Sequence, residues 1–223
     1  MGLHATVTIT YNDDMKLTIF GANGQTGRLL TRLALDRGHT VTAVVRRPSA
    51  DVDSRARTRV VPSLDDTAEV RSAVAGADAV FSAIGPRKRA DAPVAAPAAR
   101  AILAGMGDTP QRFVVISAAP VAPPSADDSF ISRRIALPLI GTLLRPVYDD
   151  LREMERALAE SPALWTAFRP PMLTSGPAKG KYLTRVGGSV PRHFTVSRAD
   201  LADAMLASLG RPETERAPVG VAG

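Results

Sequence analysis

The sequence predicts a doubly wound α/β fold. Helix-like and strand-like segments alternate from residue 16 onward, the strand segments are unbroken apolar runs, and a glycine-rich turn joins the first strand to the first helix. Unbroken apolar strands mean burial on both faces of a parallel sheet. The β-α-β alternation supplies the helices that cover those faces.

"KLTIF" (16–20) reads as the first buried strand. "QTGRLLTRLALDRG" (25–38) has apolar residues at Leu29, Leu30, Leu33 and Ala34, the period of a helix with one buried face, and Gly38 closes it. "TVTAVV" (40–45) and "TRVV" (58–61) are the second and third strands. "DTAEVRSAVAG" (66–76) is a helix ended by Gly76, "DAVFSAI" (78–84) a fourth strand, about 91–104 a helix with a proline-rich start, and "RFVVIS" (112–117) a fifth strand. The texture then changes. "APVAPPSADDSF" (119–130) is a loop, and "RRIALPLIGTLLRP" (133–146) is apolar but broken by Pro138 and Gly141. "VYDDLREMERALAES" (147–161) is a helix with the stripe Val147, Leu151, Met154 and Leu158, and with acids Asp149 and Asp150 favouring its positive end. "LWTAFRP" (164–170) is a strand, "GKYLTRV" and "RHFTVS" form a small outer substructure, and a last helix starts near Ser197. Residues 1–14 read as an extension and 15–223 as one domain, with no linker dividing it.

Composition narrows the chemistry. The 223 residues contain no cysteine, which excludes disulfides, thiolate catalysis and cysteine metal sites. His4, His39 and His193 are too dispersed to predict a metal site, so none is expected. No apolar run reaches the roughly 20 residues that span a bilayer. The start lacks the pattern of a secretory signal, so a cytoplasmic location and no membrane partner are expected. The net charge of +6 is mostly scattered arginine without a zinc-finger or basic-zipper pattern, so nucleic acid is not the expected partner.

The glycine turn carries the strongest chemical signal. In "LTIFGANGQTGRLL", Gly21 permits the tight turn, Gly24 leaves room for a pyrophosphate at the backbone, and Gly27 lets helix and strand approach. A helix amino end offers unpaired N–H groups and a positive dipole to an anion. Strand, turn and helix in this order predict a Rossmann-like dinucleotide site. The second strand ends "VVRRP", with Arg46 and Arg47 and no acid before Asp51. A carboxylate there would bond a free ribose 2′-hydroxyl, whereas a guanidinium binds a 2′-phosphate through two hydrogen bonds. The expected cofactor is therefore NADP(H) in preference to NAD(H), with Arg46 the first contact and Arg47 the second.

Together with "DAVFSAIGP", "WTAFRPPMLTSGPAKGKY" and "VSRADLADAML", these motifs resemble the atypical short-chain dehydrogenase/reductases. The branch is the NAD(P)H-binding group that includes NmrA-like proteins and biliverdin-IXβ/flavin reductases. The resemblance covers residues 15 to about 210. It implies that Asn23, Gln25 and Thr26 hold the pyrophosphate, that Ala83, Ile84 and Gly85 run beside the adenosine ribose and phosphates, and that Ser117 and Ala118 face the nicotinamide. Pro170, Pro171 and Met172 would border the ring. Similar proteins carry an Asp after the third strand; Ser63 stands there in this chain.

Carbonyl-reducing relatives use a Tyr-x-x-x-Lys pair and a serine. The nearest match is Tyr148 with Arg152, plus Ser117, while Ala118 replaces the second serine. A guanidinium cannot relay a proton as an amine does. Two functions remain open at this level. One is NADPH-dependent hydride transfer to a flat conjugated small molecule such as a flavin or quinone, with Tyr148 and Ser117 the catalytic candidates. The other is a non-catalytic NADP(H)-binding redox sensor of the NmrA-like kind.

Overall fold

The computed structural model describes residues 14–86, 88, 93–121 and 144–223. Ten strands run in chain order: β1 (Lys16–Phe20), β2 (Thr40–Val45), β3 (Arg57–Val60), β4 (Ala79–Ser82), β5 (Arg112–Ile116), β6 (Leu164–Arg169), β7 (Met172–Thr174), β8 (Leu183–Val186), β9 (Thr195–Ser197) and β10 (Ala217–Ala222). Among the described residues five α-helices are interleaved with them: α1 (Gln25–Asp36), α2 (Thr67–Val74), α3 (Ala95–Met106), α4 (Arg145–Glu160) and α5 (Arg198–Ala207). Eight strands form one sheet in the order β3-β2-β1-β4-β5-β6-β10-β8, all parallel except the β10–β8 pair. The chain is thus a single α/β domain. Among the described residues no helix is long and apolar enough to cross a membrane.

The predicted double burial holds for β1, β4, β5 and β6, whereas β3, at the sheet edge, is mostly exposed. Alternate residues of β1 enter opposite cores: Leu17 and Ile19 pack with α1 and α5, while Phe20 packs with α2, α3 and α4. Phe81 and Phe113 are likewise fully buried on opposite faces. On α1 the buried face is Thr26, Gly27, Leu30, Thr31 and Ala34, while Leu29, predicted to face inward, is exposed. Gly38 and Gly76 stop α1 and α2 with φ of +86° and +70°, where a β-carbon would be strained.

Three features depart from the sequence reading. The segments 180–186 and 192–197 do not pair with each other: β8 closes the main sheet against β10, and β9 pairs with β7 in a separate two-stranded ladder. The carboxyl-terminal strand β10 lies between β6 and β8, and "APVGVA" conceals it behind Pro218 and Gly220. Gly220 is required because a β-carbon there would lie 2.3 Å from the Gly188 carbonyl oxygen. Finally, Asp150 does not serve its own helix. Its buried carboxylate accepts the N–H groups of Val94, Ala95 and Ala96 at 2.8, 2.8 and 2.9 Å, capping α3 from α4. Residues 1–13 and 122–143, which include most of the predicted extension and the apolar segment after β5, lie outside the described residues.

Two predictions follow from these contacts. Asp150→Ala leaves three helix-terminal donors without their acceptor, and urea unfolding should show a loss of about 2–4 kcal/mol. Asp150→Asn, which keeps an acceptor oxygen, should lose less. His39, buried at the start of β2, accepts the Met15 N–H at Nδ1. Burial, reinforced by the nearby Arg37 cation and opposed by Asp14, holds its pKa below the usual 6.5. The unfolded chain therefore binds the proton first as pH falls. The stability due to neutral His39 is complete above about pH 6.5 and declines below it until the folded-state pKa is passed. Thermal midpoints recorded between pH 7.5 and 5 should fall less steeply for His39→Gln.

Candidate functional site

The sheet order places β1 between β2 and β4, so successive crossovers leave β1 in opposite directions and open a crevice above its carboxyl end. The glycine turn lies there. Ala22 N–H reaches the Val44 carbonyl of β2 at 3.4 Å, and Ala83 N–H beyond β4 reaches the Phe20 carbonyl at 3.0 Å. Gly21 has φ +73°, and a β-carbon on it would meet the Ala83 backbone at 3.0 Å. A β-carbon on Gly27 would stand 2.1 Å from the Gly21 carbonyl oxygen, closer than any atom can be placed. Helix α1 can therefore start directly on the turn only if residue 27 is glycine. Gly24 has an internal constraint as well: its N–H bonds the Gly21 carbonyl at 2.9 Å, and its β-carbon would crowd the same oxygen at 3.1 Å.

Helix α1 begins with neither a side-chain cap nor an acid in its first turn. The N–H groups of Gln25, Thr26 and Gly27 precede the first intrahelical bond and have no intrahelical acceptor. Thr26 is buried, and Asn23 is half-buried on the turn itself. This donor set, with no carboxylate in the turn, fits a diphosphate.

Arg46 and Arg47 follow β2 directly, are exposed, and make no ion pair among the described residues. Asp51, the nearest following acid, pairs with Arg28 of α1 at 3.1 Å. Beyond β4, Ala83 and Ile84 are half-buried and Gly85 is exposed with open space at its β-carbon position. Ser63 lies in an exposed turn, bonded to Asp65.

Across β4, the ends of β5 and β6 are tied together. Ser117 N–H donates to the Phe168 carbonyl at 2.7 Å and Ala119 N–H to the Pro170 carbonyl at 2.8 Å. Ala118 is half-buried, Pro170 buried, Pro171 half-buried and Met172 65% exposed. The predicted Tyr148–Arg152 couple does not form. Arg152 turns outward to Asp149 at 2.8 Å, while Tyr148 is buried in the core between α4 and the sheet. Burial pushes the Tyr148 phenol up from its usual pKa of 10, further from the range of a useful acid or base.

Ser117 instead meets a partner that the sequence reading missed. Its Oγ donates to Glu155 Oε1 at 2.6 Å. Arg169, the last residue of β6, donates Nε–H to the same oxygen at 2.9 Å and a second N–H to Oε2. The Glu155 and Arg169 side chains are only 12% and 13% exposed. A signal was available: Glu155 stands one turn from Leu151 on the apolar stripe of α4, and an acid on a buried face requires a cation. That cation is the arginine of "RPP", of which only the prolines had been assigned roles.

Known proteins share this fold. A candidate exported protein from Burkholderia pseudomallei superposes with a TM-score of 0.77 at 24% identity, over 94% of this chain and all of its own. A short-chain dehydrogenase/reductase from Veillonella parvula, solved in complex with NADP, gives 0.76 at 20% identity over 94% of both chains. A protein of Streptococcus pneumoniae described as a candidate NADH-flavin reductase gives 0.71 at 20% identity, over 93% of this chain and 99% of its own. At these identities the likeness is one of fold. The sequence model of the NAD(P)H-binding family, in contrast, matches residues 21–212, from the first glycine of the turn to past the last helix. With the glycine cradle at the switch point and a match over most of its length, the chain belongs to the NAD(P)H-binding family, with the fold of the short-chain dehydrogenase/reductases.

Proposed function

We propose that this protein is an oxidoreductase that uses NADPH in preference to NADH and passes hydride to a flat, conjugated small molecule such as a flavin or quinone. The observation that carries the reading is the cationic strand end: Arg46 and Arg47 stand unpaired among the described residues where a carboxylate would select NADH, and Asp51 is held by Arg28. The N–H groups at Gln25, Thr26 and Gly27 would take the pyrophosphate, Ala83 to Gly85 would flank the adenosine half, and Ser117, Ala118, Pro170, Pro171 and Met172 would border the ring.

When bound, the cofactor supplies the hydride. The chain's part is to orient and to exclude. Tyr148 is buried and Arg152 pairs with Asp149 instead of with it, which disfavours alcohol–ketone chemistry. A conjugated acceptor takes hydride into its ring system and its proton from water, so it needs no such group. Support also comes from the names of two proteins of like fold, one described as a candidate NADH-flavin reductase and one solved as an NADP complex.

Fluorescence titration should give at least about tenfold tighter binding of NADPH than of NADH, the scale of one charge-assisted hydrogen bond. Arg46→Glu should abolish that difference while sparing NADH. Equal affinities in the unaltered protein refute the cofactor assignment. With FMN and simple benzoquinones, NADPH oxidation followed by absorbance should exceed the protein-free blank. Tight binding without turnover across that panel would replace the reductase reading with the redox-sensor one.

A further inference from the structure

The Ser117–Glu155–Arg169 cluster is absorbed by neither the cofactor cradle nor the core. We propose that Glu155 and Arg169 are positioning residues that fix the Ser117 hydroxyl as a hydrogen-bond acceptor, and that the ligand group it receives is the carboxamide N–H of a nicotinamide ring. The inference rests on the NAD(P)H reading given above.

A serine hydroxyl has one proton and two lone pairs. Here the proton is committed to Glu155 Oε1 at 2.6 Å, the short distance of a bond to a charged acceptor. Both carboxylate oxygens are also engaged by Arg169, so Glu155 is held in place by the end of β6. The Ser117 backbone N–H is committed as well, to the Phe168 carbonyl at 2.7 Å. With both donors used inside the protein, Ser117 offers an incoming group lone pairs only. It cannot polarise a carbonyl as the serine of a carbonyl reductase does; its complement is an N–H or O–H.

The sheet order identifies which group arrives. A dinucleotide held by its diphosphate above β1, with its adenosine half toward Arg46 after β2, must extend its other half across β4 toward β5. Two strand spacings amount to about 10 Å, within reach of a ribosyl-nicotinamide. The ribose hydroxyls of this half lie nearer the diphosphate, so the donor carried farthest toward β5 is the carboxamide N–H. Side chains this little exposed are not a surface ion pair of negligible effect.

The test compares NADP with its 3-acetylpyridine analogue, in which a methyl group replaces the amide nitrogen. The unaltered protein should bind NADP about threefold to tenfold more tightly, the range of one neutral hydrogen bond. Ser117→Ala should bring the ratio close to one, and Ser117→Thr should restore it. Glu155→Gln should also lower the ratio, because the amide presents Ser117 with a donor as well as an acceptor and no longer commits the hydroxyl proton to one direction. A purely structural role would weaken both nucleotides equally and leave the ratio unchanged; that result, or equal affinities in the unaltered protein, overturns the proposal. Should Glu155→Gln fail to fold, the Ser117 variants decide alone. If neither nucleotide binds the unaltered protein, the cofactor reading itself fails, and this proposal with it.

Discussion

The architecture depends on one close approach, that of Gly27 to the Gly21 carbonyl. A β-carbon at 27 would fall 2.1 Å from that oxygen. Without it, α1 can begin within four residues of the end of β1, its amino end directed at the crevice rather than displaced by a side chain's width. The consequences spread from there. Because the turn is tight, it can be held on both sides, by Val44 at the end of β2 and by the segment after β4. Because α1 lies flat on the sheet, Leu30 and Ala34 are completely buried and join α5 in one continuous core. The same steric fact that packs the helix also aims its unpaired N–H groups, so fold and anion site cannot be separated by mutation at this position.

On the far side of β4 the constraint is polar. Glu155 links α4 to the ends of β5 and β6 through Ser117 and Arg169. A buried ion pair is weak support for stability by itself, since desolvation offsets much of the attraction. Its contribution here is orientation. It removes rotational freedom from a hydroxyl at the strand end and joins α4 to two strands that are already paired with each other. On the proposed reading the site aligns rings and needs walls that do not shift; this one is held at three points.

The order and type of most elements were legible because the strands are buried on both sides and the helices on one. Those two patterns differ plainly in "KLTIF" and "QTGRLLTRLALD". β10 was illegible for the opposite reason: "APVGVA" contains a proline and a glycine, and it becomes a strand only because β6 and β8 flank it. In the site, the glycine turn and the position of Arg46 and Arg47 directly after β2 could be read because local sequence determines both. Glu155 and Asp150 could not be read in full. Each acts on residues far along the chain: Asp150 reaches back 56, 55 and 54 positions to the start of α3, and Glu155 reaches 38 positions back to Ser117 and 14 forward to Arg169. The helix periodicity marks where such an acid sits but not what it meets.

These acids also explain how a modest net charge of +6 can act at one place. Asp66 caps α2 by accepting the Glu69 N–H. Ser197 caps α5, while Asp200, completely buried, accepts from Ser197 Oγ and from the backbone of Lys179 and Gly180, pinning the loop beside that helix. Asp150 caps α3, Glu155 neutralises Arg169, Asp51 meets Arg28, and Asp36 and Asp53 share Arg55. Asp53 is held so firmly by Arg55 that its pKa falls to about 2, leaving it charged throughout the physiological range. Each of these carboxylates is thus engaged within the protein, and none is presented at the glycine turn. Among the described residues, the amino end of α1 and the guanidinium groups of Arg46 and Arg47 stand at the carboxyl ends of β1 and β2 without such a partner. Close to these groups, well within the Debye length of about 10 Å at moderate salt, that local imbalance outweighs the average charge of the surface. On the proposed reading, an anion is drawn to the crevice by the internal pairing of distant acids as much as by Arg46 and Arg47.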